Sequence, residues 1–409
     1  MSRLTPAVVV LLLACGSPQG QMMPGGGGGS SSAGGQGGGG GGTTGTGGGT
    51  SSAGGGSGTG GSTATGGGTG TGGGTSSTLT TIRVHYPAGA KTMWLRGEAA
   101  PLSWFDNTAM TKGANDTWEA TVDVPMATFE FKPMLDDAWS KGPNYRAQRG
   151  STVDIYPRFN TDNGRVTKLI NAFHSNNLMR DRGVWAYLPA SYDENTTARY
   201  PVLYMHDGQN LFDPAIAFSG EWKVDETLNQ AAQDGSIREI IVIGVENTSD
   251  RIWEYTGGPP PTYGGDLYRT LLIDELKPVV DSMLRTMPGR ATTGVAGSSM
   301  GGHISAYLTA TRPDVFGLTG NFSTTVFIAN KRLLTYVSAI TNRSKVYMDV
   351  GTDNDGKSGS DELYTTYTSV GYVDGADLKY VVQQGANHSE FYWAQRLPGA
   401  LQWLFGPRQ

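Results

Sequence analysis

Apolar and polar positions change their rhythm along the chain. Between residues 16 and 78 there is no rhythm: Gly, Ser and Thr dominate and no charged residue occurs. From 79 to about 160, apolar positions alternate with polar ones in short runs, at 79–86, 91–96, 117–122, 128–134 and 151–156, separated by Gly, Pro, Asn and Asp. A period of two buries one face of a strand, and a series of short strands with turn residues between them predicts a small β-sandwich. From about 165 onward, strand-like runs at 184–188, 201–205, 239–245, 291–296, 318–322, 345–350 and 378–382 alternate with helix-period runs at 267–284, 303–310, 331–340, 362–369 and 391–405. Several of the strand runs are apolar enough to be buried on both faces, as in a mostly parallel sheet with helices on either side. The predicted fold class is therefore α/β over 165–409, preceded by an all-β sandwich over 79–160.

Composition sharpens this picture at the amino-terminal end. Of 409 residues 62 are Gly, and about half of these fall within 16–78. Such a segment has nothing to bury against its ordering entropy, so it is expected to be a disordered tether with a reach on the order of 45 Å. Residues 1–15 carry one positive charge, a short apolar stretch and then Ala14-Cys15, the layout of an export signal. A lone cysteine excludes a disulfide scaffold, a zinc ribbon and an iron–sulfur centre, each of which needs several thiolates. A formal net charge of -5 argues against a nucleic-acid partner.

Candidate chemistry lies between 291 and 390. Gly297-Ser298-Ser299-Met300-Gly301-Gly302 follows a predicted strand and precedes a predicted helix, where a G-x-S-x-G turn lifts a serine hydroxyl above the sheet. Gly297 and Gly301 are expected because the turn leaves no room for side chains. Ser299 is the candidate nucleophile. Of the five histidines, only His388 follows the last strand, in the polar loop Gln384-Gly-Ala-Asn-His-Ser-Glu390, and it is the candidate base. The orienting acid is expected in the loop after the preceding strand, where Asp353 and Asp355 both qualify, with Asp355 preferred and Asp349 read as structural. The backbone N–H groups of Met300 and Gln209 are the candidate oxyanion donors, with Gly208 allowing close approach of backbone to substrate.

Three resemblances extend this reading. The Leu12-Leu13-Ala14-Cys15 stretch resembles the lipobox of bacterial lipoproteins, which implies diacylation of Cys15 and a lipid-anchored domain at the cell envelope. Residues 93–97, Trp118, 129–132 and 139–145 resemble the starch- and glycogen-binding-like sandwiches, which makes Trp139 and Trp104 candidate sugar contacts; they serve equally well as packing against the core or the next domain. Trp94 and Trp118 are expected in the core. Finally, 200–213, Glu254-Tyr-Thr, 274–278, the elbow and the His388 loop look like the putative-esterase family of α/β-hydrolases, which includes enterochelin, feruloyl and acetylxylan esterases, esterase D and the mycolyltransferases. That resemblance implies a serine carboxylic ester hydrolase working through an acyl-enzyme without cofactor or metal. Relatives often read Gly-Thr-x-Asp at the acid, where this chain has Asn354 between two aspartates. With a sugar-binding-like sandwich in front, the implied substrate is an acylated carbohydrate, feruloyl or acetyl. A trilactone siderophore, acyl transfer to an alcohol, and a non-catalytic carbohydrate-binding protein are the alternatives.

Overall fold

Eight strands form one sheet: β1 (Arg165–Ser175), β2 (Arg180–Leu188), β3 (Val202–His206), β4 (Ile241–Val245), β5 (Thr293–Ser298), β6 (Leu318–Phe322), β7 (Lys345–Gly351) and β8 (Leu378–Gln383), in the order 1-2-4-3-5-6-7-8. β2 pairs antiparallel with both of its neighbours, and every other pairing is parallel. The central strands are buried on both faces because alternate residues feed two cores. Val202 and Tyr204 of β3 join one, Leu203 and Met205 the other. Helices α1 (Val224–Asp234) and α4 (Glu390–Phe405) cover the second face, while the first carries α2 (Met300–Thr311), α3 (Lys357–Ser369) and the helical segments between 265 and 338. The computed structural model describes residues 78–408; Cys15, the signal segment 1–15 and the glycine-rich stretch through residue 77 lie outside the described residues.

Ahead of this sheet, two smaller sheets share a separate core. One joins Thr80–His85 to Thr117–Val122, Thr152–Ile155 and Thr111–Lys112; the other joins Met93–Gly97 to Thr128–Leu135 and three short strands. Ile82, Val84, Leu95, Trp118, Phe129 and Phe131 fill the space between them. Trp118 is buried as expected. Trp94 is not: the alternation of Met93–Gly97 places Met93, Leu95 and Gly97 inward, so Trp94 lies half-buried on the outer face.

The two-sheet module docks on the amino edge of the large sheet. Arg158, 2% exposed, donates to Ala232 O (2.7 Å) and pairs with Glu239 (3.2 Å), just ahead of β4. Asn195, between β2 and β3, donates to His85 O and Pro157 O. After α4, Arg408 donates to Lys141 O and stacks 4.1 Å over Tyr145. Removing a partner from a buried pair such as Arg158–Glu239 strands a charge, so these contacts fix the docking.

Candidate active site

The strand order reverses at β3, whose sequence neighbour β4 lies on one side and β5 on the other, and such a switch point opens a crevice at the carboxyl edge. Ser299 stands there, between β5 and α2. Its φ of 56° and ψ of -116° are conformations that a serine adopts only when its surroundings force it. The forcing is visible: Ser299 N–H donates to Phe322 O (2.9 Å), and Ser299 O accepts from Thr325 N (3.0 Å) and His303 N (3.1 Å). A Cβ on Gly297 would come within 2.9 Å of the Gly301 backbone, and one on Gly302 within 2.7 Å of Thr324 Oγ1. Gly301, expected to be sterically required, would make only ordinary 3.4 Å contacts with Asp207 and His206; the crowded position is its neighbour Gly302. The Ser299 hydroxyl bonds to Thr325 Oγ1 (3.1 Å) rather than to His388.

His388 lies in the loop between β8 and α4, and its Nδ1 is 2.7 Å from Asp355 Oδ1. Asp355, 3% exposed, also accepts from Ser323 Oγ (2.6 Å) and from Gly351 N–H. Burial pushes the Asp355 carboxyl up, but the bonds from His388, Ser323 and Gly351 outweigh it and hold the group below the usual carboxylate range. Asp353 is exposed on the same loop, where its Oδ1 accepts from Asn354 and its N–H donates to Ala386 O. Of the two aspartates, only Asp355 is brought to the histidine. The Trp393 ring stands edge-on to His388 at 5.0 Å.

The loop after β3 packs beside the elbow, since His206 and Asp207 are the groups nearest Gly301. Asp207 has a left-handed conformation (φ 58°) and is clamped by Arg251 through two bonds of 2.7 Å and by Asn247 at 2.6 Å. Burial raises its carboxyl, and Arg251 with Asn247 more than reverses that, so it stays ionised. Gly208 is required for a reason other than access to a ligand: a Cβ there would sit 2.5 Å from the Gly244 carbonyl carbon on β4. Gln209 is half-buried and its side chain accepts from Asn247 N–H (3.4 Å). Met300, the first residue of α2, carries one of the N–H groups that a helix cannot satisfy internally.

His206 and His303 are buried and turned away from proton transfer. Burial depresses them to about 3 and about 4. His206 Nδ1 meets Tyr268 OH at 2.9 Å, while His303 donates from Nδ1 to Thr325 O (2.8 Å) and so braces the Ser299 loop. The Glu254-Tyr-Thr motif is also structural, because Glu254 forms a fully buried two-pronged pair with Arg182 at 3.1 and 3.2 Å. Past the carboxyl ends of the strands several apolar side chains are exposed: Ile216 and Phe218 after β3, Ile252 after β4, Phe327 after β6, and Phe391 in the first turn of α4. On the distant two-sheet module, the rings of Trp104 and Trp139 lie 6.2 Å apart and Arg96 sits 5.3 Å over Trp139, which is 40% exposed.

A strained serine at the carboxyl edge, an Asp-oriented histidine after the last strand and a left-handed loop after β3 define an esterase of the α/β-hydrolase fold. The chain belongs to the family described as "Putative esterase", whose model matches residues 175–404. It is 25% identical over 239 residues to the uncharacterized protein YbbA of Bacillus subtilis, covering 54% of this chain and 91% of that one. It is also 25% identical over 237 residues to an endo-1,4-beta-xylanase/feruloyl esterase of Xylanibacter ruminicola, covering 53% of this chain and 31% of that protein. Among solved structures, a ferulic acid esterase aligns at 19% identity with a TM-score of 0.49 over 59% of this chain and 98% of its own. The enterobactin esterase of Shigella flexneri aligns at 15% identity and a TM-score of 0.49 over 79% and 92%.

Proposed function

We propose that this esterase is a serine carboxylic ester hydrolase with Ser299 as nucleophile, His388 as general base and Asp355 as the orienting acid. The observation that carries this reading is the 2.7 Å bond from His388 Nδ1 to Asp355, which leaves the other ring nitrogen bare as a base. In this reading the Ser299 hydroxyl exchanges its bond to Thr325 Oγ1 for one to that nitrogen. Ser299 Oγ attacks the ester carbonyl as its proton passes to His388. The N–H groups of Met300 and Gln209 receive the oxyanion, and the carbon–alkoxide bond breaks with the proton returned to the leaving alcohol. Water then repeats the sequence on the acyl-enzyme. The exposed Ile216, Phe218, Ile252, Phe327 and Phe391 favour an apolar or aromatic acyl group over acetyl.

For the alcohol we propose a carbohydrate, on the support of the Trp104–Trp139 surface and of the feruloyl esterase relative. We further propose that Cys15 is lipidated and anchors the protein at the cell envelope. The test of the chemistry is turnover of a feruloyl ester, with fluorophosphonate labelling, across variants. Ser299→Ala and His388→Ala should lose nearly all turnover and Ser299→Ala its labelling. Asp355→Asn should fall by roughly 10²- to 10⁴-fold while Asp353→Asn stays within about twofold. Full activity in Ser299→Ala, or equal losses for both aspartate variants, would refute the assignment.

A further inference from the structure

The acid of this site is itself held by a hydroxyl whose hydrogen-bond directions are all determined. Ser323, just past β6, is 1% exposed. Its Oγ lies 2.6 Å from Asp355 Oδ2, 2.8 Å from Trp393 Nε1 and 3.0 Å from Arg396 Nη2. An indole N–H and a guanidinium N–H only donate, and a hydroxyl has one proton and two lone pairs. Trp393 and Arg396 therefore occupy both lone pairs, and the Ser323 proton has a single destination, Asp355 Oδ2. With Gly351 N–H on the same oxygen, the remaining oxygen is left to His388 Nδ1–H. Behind this array Arg396 Nε lies 3.0 Å from Asp349 Oδ2, and Arg396 Nη2 lies 3.7 Å from Asp355 Oδ2, so one guanidinium serves two carboxylates in a region closed to water.

We propose that Ser323 is a positioning residue for this esterase: its hydroxyl, oriented by Trp393 and Arg396, fixes Asp355 and through it the tautomer and direction of His388. The proposal rests on the reading that Ser299, His388 and Asp355 act together. No function of Ser323 in touching substrate is involved; it acts one bond behind the acid. The charged and titratable groups facing this assembly are Asp349 and Tyr347 from β7, Tyr380 from β8, Arg396 from α4, and Glu390, which lies within electrostatic reach of His388. Burial pushes the Asp349 carboxyl up and Arg396 pulls it back, so the guanidinium that Asp349 leans on is the same one that reaches Ser323 and Asp355.

The test compares Ser323→Ala, Arg396→Met and their double variant with Ser299→Ala and His388→Ala on one soluble aryl ester, each checked for folding by circular dichroism and thermal midpoint. Ser323→Ala should lower kcat by ~10- to 100-fold through misplacement of the imidazole, with KM within about twofold. The acid limb of kcat/KM should move to higher pH in both single variants: an Asp355 stripped of a donor or a nearby positive charge keeps more negative charge to stabilise imidazolium. Because the two residues act in series on one oxygen, the double variant should lose much less than the product of the single losses. A folded Ser323→Ala with wild-type kcat and an unmoved acid limb would overturn the proposal while leaving the reading of Ser299 and His388 intact. Activity surviving in Ser299→Ala would instead remove the reading on which it stands. Should Arg396→Met fail to fold, the Ser323→Ala profile alone decides, since that change removes one oxygen and no charge.

Discussion

At the residue scale the buried histidines have the clearest thermodynamic consequence. His206 and His303 are held neutral in the folded state, at about 3 and about 4, whereas an unfolded chain protonates them near 6.5. Between those limits the unfolded state binds more protons, so stability is present above about pH 6.5 and is lost as pH falls towards 4. The thermal midpoint should therefore drop across that window. His303→Asn, which keeps a donor for Thr325 O but cannot titrate, should flatten the slope; an unchanged slope would show that His303 is not among the groups responsible. Ser299 and His388 could be picked out as candidates in the sequence because each is marked by position, one within a glycine turn and one after the last strand. Ser323, Trp393 and Arg396 were not, because a serine after a buried strand, and a tryptophan and arginine three apart on a helix, have the same pattern whether they fill a core or hold an acid. The preference for Asp355 over Asp353 was already legible in the sequence; its physical basis, the left-handed Asn354 and Gly356 that turn one carboxylate inward and leave the other in water, was not.

Among the elements, strands with strong patterns were legible and weakly patterned ones were not. β3 to β8 appear within a few residues of their predicted runs; β3 to β7 are buried along nearly all of their length, and β8, an edge strand, still carries a compact run of apolar residues at Leu378 and 380–382. β1 went unrecognised because it is an edge strand, partly exposed along its length and interrupted by register shifts against β2. α1 escaped notice for a related reason: it buries only Val224, Leu228, Ala231 and Ala232. The helix expected at 267–284 spans 265–283, but its middle, Leu271–Leu276, is π-helical. Pro278 supplies the cause, having no N–H to give Asp274 O and a ring that crowds that carbonyl. Glycine placement gives a test at this scale. Gly208→Ala should destabilise by about 1–3 kcal/mol, because its Cβ meets strand backbone at 2.5 Å, whereas Gly301→Ala, with only ordinary contacts, should stay within about 1 kcal/mol of wild type. Denaturant midpoints measure both, and equal losses would show that the elbow rather than the β3–β4 crossing sets the steric limit.

Over the whole molecule, the two-sheet module and the crevice occupy opposite edges of one sheet. Arg158, Asn195, Glu239 and Arg408 hold the module where β3 and β4 begin, and Ser299, Asp355 and His388 lie where strands end. With central strands of five to seven residues, those edges are separated by about 16–23 Å. None of these docking contacts involves Ser299, Asp355 or His388. Trp139→Ala in the full chain should leave kcat/KM for a small soluble ester within about twofold of wild type, while release of acyl groups from an insoluble polysaccharide falls. Equal losses on both substrates would place Trp139 in a role unrelated to polymer capture. If the sugar stacking proposed for Trp139 holds, binding and cleavage would be set apart along one rigid sheet, so the decoration removed would lie a fixed stride along the polymer or on an adjacent strand, and densely packed fibres would be stripped more readily than isolated chains.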